Sequence, residues 1–168
     1  HLSGKIIFKE EQRFSQPWLV IPFLILTIFL TLIIAYGMYR QLNQGIPFGN
    51  HPMSNESLKI LGTLVIALIW CIFYLFTYMR LIVLVCENSL IIYFRPFLKK
   101  LIDYDQIQSC EAIQYKPIRD FGGWGIRYRS GETAYTVSGD KAVRLYLKNG
   151  KKILIGSNQS EELAAQIT

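Results

Sequence analysis

Hydrophobic pattern alone divides this chain into two apolar runs and an alternating tail. Trp18 to Tyr39 (WLVIPFLILTIFLTLIIAYGMY) carries no charged residue, and Leu58 to Met79 (LKILGTLVIALIWCIFYLFTYM) carries only Lys59. Runs of this length, at about 1.5 Å rise per residue, match the roughly 30 Å of hydrocarbon in a bilayer. Arg80 closes the second run. From Leu81 the chain reads LIVLVCENSLIIYF, rich in β-branched and aromatic residues and broken by Glu87-Asn88-Ser89. That is a strand, turn and strand signal, reached without any linker. The expected organisation is an N-terminal segment at 1–17, membrane helices at 18–39 and 58–80, a loop at 40–57, and a β domain over 81–168.

The ends of the first run behave as membrane interfaces. Pro17 suits a first helical turn, and Pro22 lies early enough to kink the helix without abolishing it. Trp18 at one end, with Tyr36 and Tyr39 at the other, matches an aromatic belt. A cleaved signal peptide fits poorly, because the apolar core is too long and no small-residue cleavage site follows. Ahead of it, Ile6, Ile7, Phe8 and Phe14 are interspersed with Lys5, Lys9, Glu10, Glu11 and Arg13. Two readings stay open for this segment: an amphipathic lead-in lying among headgroups, or a solvated tail with a few apolar contacts.

Basic residues set the orientation. Lys5, Lys9 and Arg13 precede the first run, and Arg80, Arg95, Lys99 and Lys100 follow the second, while Gln41 to Ser57 holds no Lys or Arg. Both termini are therefore expected in the cytoplasm, with the protein multi-pass in the cell (inner) membrane. The short loop makes the two helices an antiparallel hairpin. Neither span offers an ionisable group at depth apart from Tyr and Cys71, which argues against a pore or carrier made by this chain alone. Thr27 and Thr31 can bond back to their own helix. Thr31 and Ala35 on the first helix, and Gly62, Thr63 and Ala67 on the second, allow close helix packing.

The tail reads as seven or eight short strands. Leu81–Glu87 and Leu90–Arg95 pair through Asn88-Ser89, and Leu98–Tyr104 and Ser109–Lys116 follow. The glycine-rich Phe121–Gly125 precedes Ile126–Arg129, Ala134–Val137 and Ala142–Lys148. Asn149-Gly150 carries the signature of a type I′ hairpin turn leading to Lys152–Ile155. Ser157 or Asn158 can cap a final helix with Glu161 and Glu162 in its first turn and Leu163 and Ile167 on one face. The fold class expected is membrane α + β: a two-helix transmembrane hairpin followed by an antiparallel β-barrel, closed or nearly so, with a C-terminal helix.

With the phrases VCENSLIIYF and DYDQIQSCEAI, then Gly122-Gly123-Trp124-Gly125-Ile126-Arg127, Ala134-Tyr135, Val143-Arg144-Leu145, Asn149-Gly150, Ile155-Gly156-Ser157 and Glu162-Leu163, the chain resembles small bacterial membrane proteins bearing a pleckstrin-homology-like (PH-like) domain. The resemblance covers nearly the whole chain. It implies a PH-type barrel with a C-terminal helix, and it brings no catalytic residues with it. In eukaryotic PH domains, phosphoinositide binding relies on basic residues between the first strands; the corresponding loop here, Glu87-Asn88-Ser89, is short and not basic.

Composition narrows the chemistry. The 168 residues are 51% hydrophobic with net charge +6, a profile that suits a membrane protein with one soluble domain. The chain opens on His1 rather than Met and ends at Thr168 inside a helical pattern, as cut termini would. Cys71, Cys86 and Cys110 lack ligand spacing and His51 is the one internal histidine, so no metal or cofactor is expected. No Ser–His–Asp or Cys–His set can be assembled, and Asp103 and Asp105 read as turn chemistry. Catalysis is not expected. From Leu81 onward 12 Lys/Arg face 9 Asp/Glu, too small and dispersed an excess for nucleic acid.

Two groups remain as candidate sites. Trp124 among three glycines places a large amphipathic ring on a loop. With Arg119, Arg127 and Arg129 nearby it reads as an interaction tip, or more plainly as a bulge that tucks the ring into the barrel. Arg80, Arg95, Lys99 and Lys100 stand near the membrane, placed for lipid headgroups. The expected function is non-enzymatic, a PH-like domain displayed at the cytoplasmic face for protein or lipid contact. The alternative is an accessory or sensor subunit of a larger membrane complex, with a small-ligand-binding or hydrolytic enzyme behind both. Expected partners are membrane lipids, another membrane protein or a second copy of the chain.

Overall fold

In the computed structural model, residues 5–14 and 16–167 are described. The elements run β1 (Ile6–Arg13), α1 (Pro17–Gln44), α2 (Asn55–Tyr78), β2 (Arg80–Cys86), β3 (Ser89–Arg95), β4 (Leu98–Asp103), a 3₁₀ turn (Tyr104–Gln106), β5 (Ile107–Gln114), α3 (Pro117–Phe121), β6 (Gly125–Arg129), β7 (Glu132–Thr136), β8 (Lys141–Leu147), β9 (Lys152–Gly156) and α4 (Ser160–Ile167). They form two compact units: the helical hairpin up to Thr77, and a β unit made of the residues up to Phe14 together with those from Tyr78 onward.

Both hairpin helices are long and apolar enough to cross a membrane. α1 runs beyond its apolar stretch because Arg40–Gln44 are tolerable helix residues. It stops where Gly45 takes a left-handed backbone (φ 67°) and donates its N–H to Arg40 O. Thr27 and Thr31 do bond back, to Phe23 O and Thr27 O, both at 2.8 Å. The helices meet at Phe23, whose ring lies 5.5 Å from that of Phe73 and 5.1 Å from that of Phe76. Gly62 leaves room for the Met38 side chain, since a Cβ there would lie 2.6 Å from Met38 Sδ and displace it.

The β unit is interrupted by that hairpin. β1 pairs antiparallel with β2, Lys9 facing Leu84 and Arg13 facing Arg80, so two neighbouring strands of one sheet are joined through both helices. The N-terminal segment is thus neither a headgroup lead-in nor a solvated tail. Phe8, Glu10, Gln12 and Phe14 point inward, and Ile7, Lys9, Glu11 and Arg13 outward. Half of its buried positions are polar, which hides the alternation from a hydrophobicity reading.

The first sheet has the order β1-β2-β3-β4 and the second β5-β8-β9-β7-β6. All neighbours are antiparallel except β7 and β9, which run parallel. The expected closed barrel is therefore corrected to two sheets, since no ladder joins one to the other among the described residues. Leu81, Val83, Val85, Leu90, Ile92, Phe94 and Ile102 fill the inner side of the first sheet, and Val143, Leu145, Ile153 and Ile155 that of the second, all 0–1% exposed. Fully burying each such side chain contributes roughly 1.5–3 kcal/mol.

One turn departs from expectation. At Asn149-Gly150 only Gly150 has positive φ (80°). Gly150 N–H bonds to Leu147 O and Leu147 N–H to Lys151 O, both at 2.9 Å, the pattern of a three-residue loop with a glycine bulge rather than a type I′ turn. The type I′-like pair is Ser130-Gly131 (φ 50° and 80°) between β6 and β7.

Candidate functional site: the arginine row and the Trp124 groove

Strand register places three arginines in one row across the first sheet. Arg13 of β1 faces Arg80 of β2, which faces Arg95 of β3. Like charges directly opposite one another destabilise a sheet, so the row needs compensation. Glu11, on the same face, supplies it for two of the three. Its Oε1 accepts from Arg13 Nε and from Arg80 Nη1, both at 3.1 Å. The bond from Arg13 is the main reason the Glu11 carboxyl is held below the usual carboxylate range, against partial burial that pushes it up, with Arg80 adding to the lowering.

Arg80 also lies over the Tyr78 ring (5.5 Å), and its Nε is buried without a hydrogen-bond partner among the described residues. Arg95 and Lys99 share a single partner. Arg95 Cζ is 5.8 Å and Lys99 Nζ 5.3 Å from the Tyr93 ring centroid. Neither has a carboxylate partner among the described residues. Phe97, in the turn between β3 and β4, is 57% exposed. Covalent connectivity ties this end of the sheet to the helices: Arg13 precedes Pro17 by four residues, and Arg80 follows Tyr78 by two.

Lys100 does not belong with this group. It faces Ile92, on the opposite side of β4 from Lys99, and its Nζ lies 5.9 Å from the Tyr135 ring of the second sheet. Burial, helped by Lys151, lowers its pKa. Of the residues expected at headgroups, Arg80, Arg95 and Lys99 thus share one face. Arg13 joins them, a residue that sequence reasoning had counted only for topology.

The Trp124 loop forms the second candidate. Asp120 Oδ2 accepts from Lys116 N (2.8 Å) to start α3, a helix the sequence reading missed. α3 ends on Gly122 and Gly123, whose N–H groups bond to Ile118 O and Pro117 O, both at 2.9 Å. Gly122, Gly123 and Gly125 all have positive φ (72°, 122° and 117°), which accounts for glycine at each. Trp124 is half-buried, its Nε1 donating to Gly139 O at 2.9 Å. With Gln114, Tyr115, Lys116, Pro117, Ile118, Arg119 and Asp140 it lines a groove of about 610 Å³.

The arginines around it differ in role. Arg127 Nε donates to Trp124 O at 3.2 Å, and Arg129 Nη1 donates to Arg119 O at 3.0 Å and to Asp120 O. These two hold the loop and the end of α3. Arg119 faces the groove. Beneath it Tyr115 packs with Ala134, Ala142 and Leu154, and burial pushes its phenol up to about 12. Its hydroxyl is buried without a hydrogen-bond partner among the described residues, and the neighbouring Thr136 hydroxyl donates to Gly125 O at 3.5 Å.

A buried polar strap links the chain's two ends. Glu10 accepts from Ser157 Oγ (2.5 Å), Asn158 N (2.8 Å) and Gln12 Nε2 (2.9 Å), and Gln12 Nε2 also reaches Gly156 O (2.9 Å). Ser157 Oγ in turn accepts from Gln159 N at 3.1 Å, just ahead of α4, and is itself held by β1. Asp103 and Asp105 are both exposed beside the 3₁₀ turn. No group of three or more His, Cys, Asp or Glu residues suited to a metal occurs among the described residues. No family model matches the chain, and no curated protein matches it in sequence.

Proposed function

We propose that this is a non-enzymatic, multi-pass protein of a bacterial inner membrane, whose two helices carry a cytoplasmic β domain as an interaction module. The observation that carries the reading is the insertion of an apolar helical hairpin between two paired strands. A domain built that way has both of its connections at adjacent points of one sheet end, and that end bears the arginine row. A PH-like relationship is part of the proposal. Two sheets with buried inner faces and a C-terminal helix strapped to the first strand support it. The basic residues flanking the helices and the uncharged loop between them support cytoplasmic termini.

Two measurements test this. The chain should stay in the pellet after alkaline carbonate washing of membranes from a bacterial expression host. In sealed spheroplasts, added protease should reach the 45–54 loop and spare the β domain. Extraction by carbonate, or nicking of the β domain from outside, overturns the proposal.

The groove beside Trp124 favours a second reading, an accessory subunit that recognises a protein partner. Its walls combine apolar Pro117, Ile118 and Trp124 with cationic Lys116 and Arg119. Under that reading, pull-down in mild detergent recovers a partner that Trp124→Ala loses. Identical recovery by both chains removes the groove from consideration.

A further inference from the structure

We propose that the Arg13–Arg80–Arg95 end of the first sheet, with Lys99, binds the phosphate of anionic lipid headgroups. The inference rests on the membrane reading above and names the lipid class that the domain contacts. Four cations stand at this end of the sheet face, and Glu11 is the one carboxylate among the described residues that pairs with any of them. Glu11 answers Arg13 and Arg80, while Arg95 and Lys99 have the face of Tyr93. An aligned like-charge row raises the energy of the sheet unless an anion sits against it. Guanidinium forks match phosphate oxygens in pairs, which suits three arginines better than a single point charge would.

Covalent reach selects the lipid as the source of that phosphate. At no more than about 3.6 Å per residue, Arg80 Cα lies within about 7 Å of Tyr78, the last residue of α2. The headgroup layer outside the hydrocarbon is itself about 5–8 Å deep on each side. Exposed Phe97, on the turn that follows Arg95, adds an apolar side chain of the kind that enters that layer. Free inorganic phosphate carries the same chemistry without the apolar neighbourhood, so the test separates the two.

The full-length chain is placed in nanodiscs of mixed phosphatidylcholine and phosphatidylglycerol, and the lipids it retains on release are counted by native mass spectrometry. Retained phosphatidylglycerol should exceed its bulk share by at least about fivefold. R95Q/K99Q should bring retention back to the bulk ratio, R95K/K99R should keep it, and K148Q/K151Q/K152Q, elsewhere on the domain, should leave it unchanged. Wild-type retention at the bulk ratio overturns the site, as does equal enrichment in R95Q/K99Q. Displacement of the retained lipid by millimolar inorganic phosphate overturns the lipid assignment in favour of a phosphate site. Carbonate resistance of the same preparations decides the membrane reading separately.

Discussion

Glu11 lies between Arg13 of its own strand and Arg80 of the next, accepting a hydrogen bond from each at about 3 Å. Arg13 is the last residue of β1, before α1, and Arg80 the first of β2, after α2. One carboxyl therefore holds together the two strand ends from which the helical hairpin departs.

Replacing it with an amide should loosen that junction. Glu11→Gln is expected to lower stability by about 1 kcal/mol at neutral pH and low salt, and by less at high salt, since the groups are partly exposed. The folded carboxyl is held below its unfolded value of 4.5. The stabilisation is therefore present above that pH and lost as pH falls through the depressed folded value. Thermal denaturation of the full chain in detergent should show the gap between wild type and E11Q closing in acid. A gap independent of pH would contradict this.

Glu10 should matter more than Glu11, because it is buried. Glu10→Ala leaves Ser157 Oγ, Asn158 N and Gln12 Nε2 short of an acceptor, at a cost of at least about 2 kcal/mol. The effect should be local first: hydrogen exchange at residues 157–167 should quicken well before that of β8 and β9. Uniform acceleration across the second sheet would mean that the strap does not single out α4.

Tyr115 offers an opposite case. Its hydroxyl is buried without a partner among the described residues, so Tyr115→Phe should stabilise the chain by about 1 kcal/mol. The folded phenol titrates at about 12, above the unfolded value near 10. The cost of keeping it buried is constant below pH 10 and grows, by on the order of 2 kcal/mol, as pH rises towards 12. The advantage of Y115F should accordingly widen between those limits. A less stable Y115F at neutral pH would show that the hydroxyl has a partner.

The helical hairpin, most strand positions and the final helix were legible because each follows a period that burial imposes. Leu81–Phe94 stands out as two short β-branched and aromatic runs around a turn signal, and Val143–Leu147 places Val143, Leu145 and Leu147 on one buried face. β1 stayed hidden for one reason, polar residues at inward positions. Glu10 and Gln12 disguise β1, and with β1 unseen Arg13 could not be set in register with Arg80 and Arg95. The parallel pairing of β7 with β9 is long-range and leaves no local trace. Trp124 stood out by its glycines, each of which has positive φ, whereas Arg127 and Arg129 serve backbone carbonyls that no spacing rule reveals. Lys99 and Lys100 are adjacent in sequence and lie on opposite faces of one strand, so a charge count joined what the pleat separates.

β1 pairs with β2 across an inserted apolar hairpin, and a cross-link reads that pairing directly. Lys9 and Leu84 face each other in register, and opposed strand residues lie within the Cα separation a disulfide spans. In a chain with Cys71, Cys86 and Cys110 replaced by serine, Lys9→Cys and Leu84→Cys should oxidise to a disulfide in carbonate-washed membranes. After cleavage at a protease site inserted in the 45–54 loop, the two fragments should migrate together until reduced. Fragments that separate without reductant, or a cross-linked chain found only in the carbonate supernatant, would contradict the account.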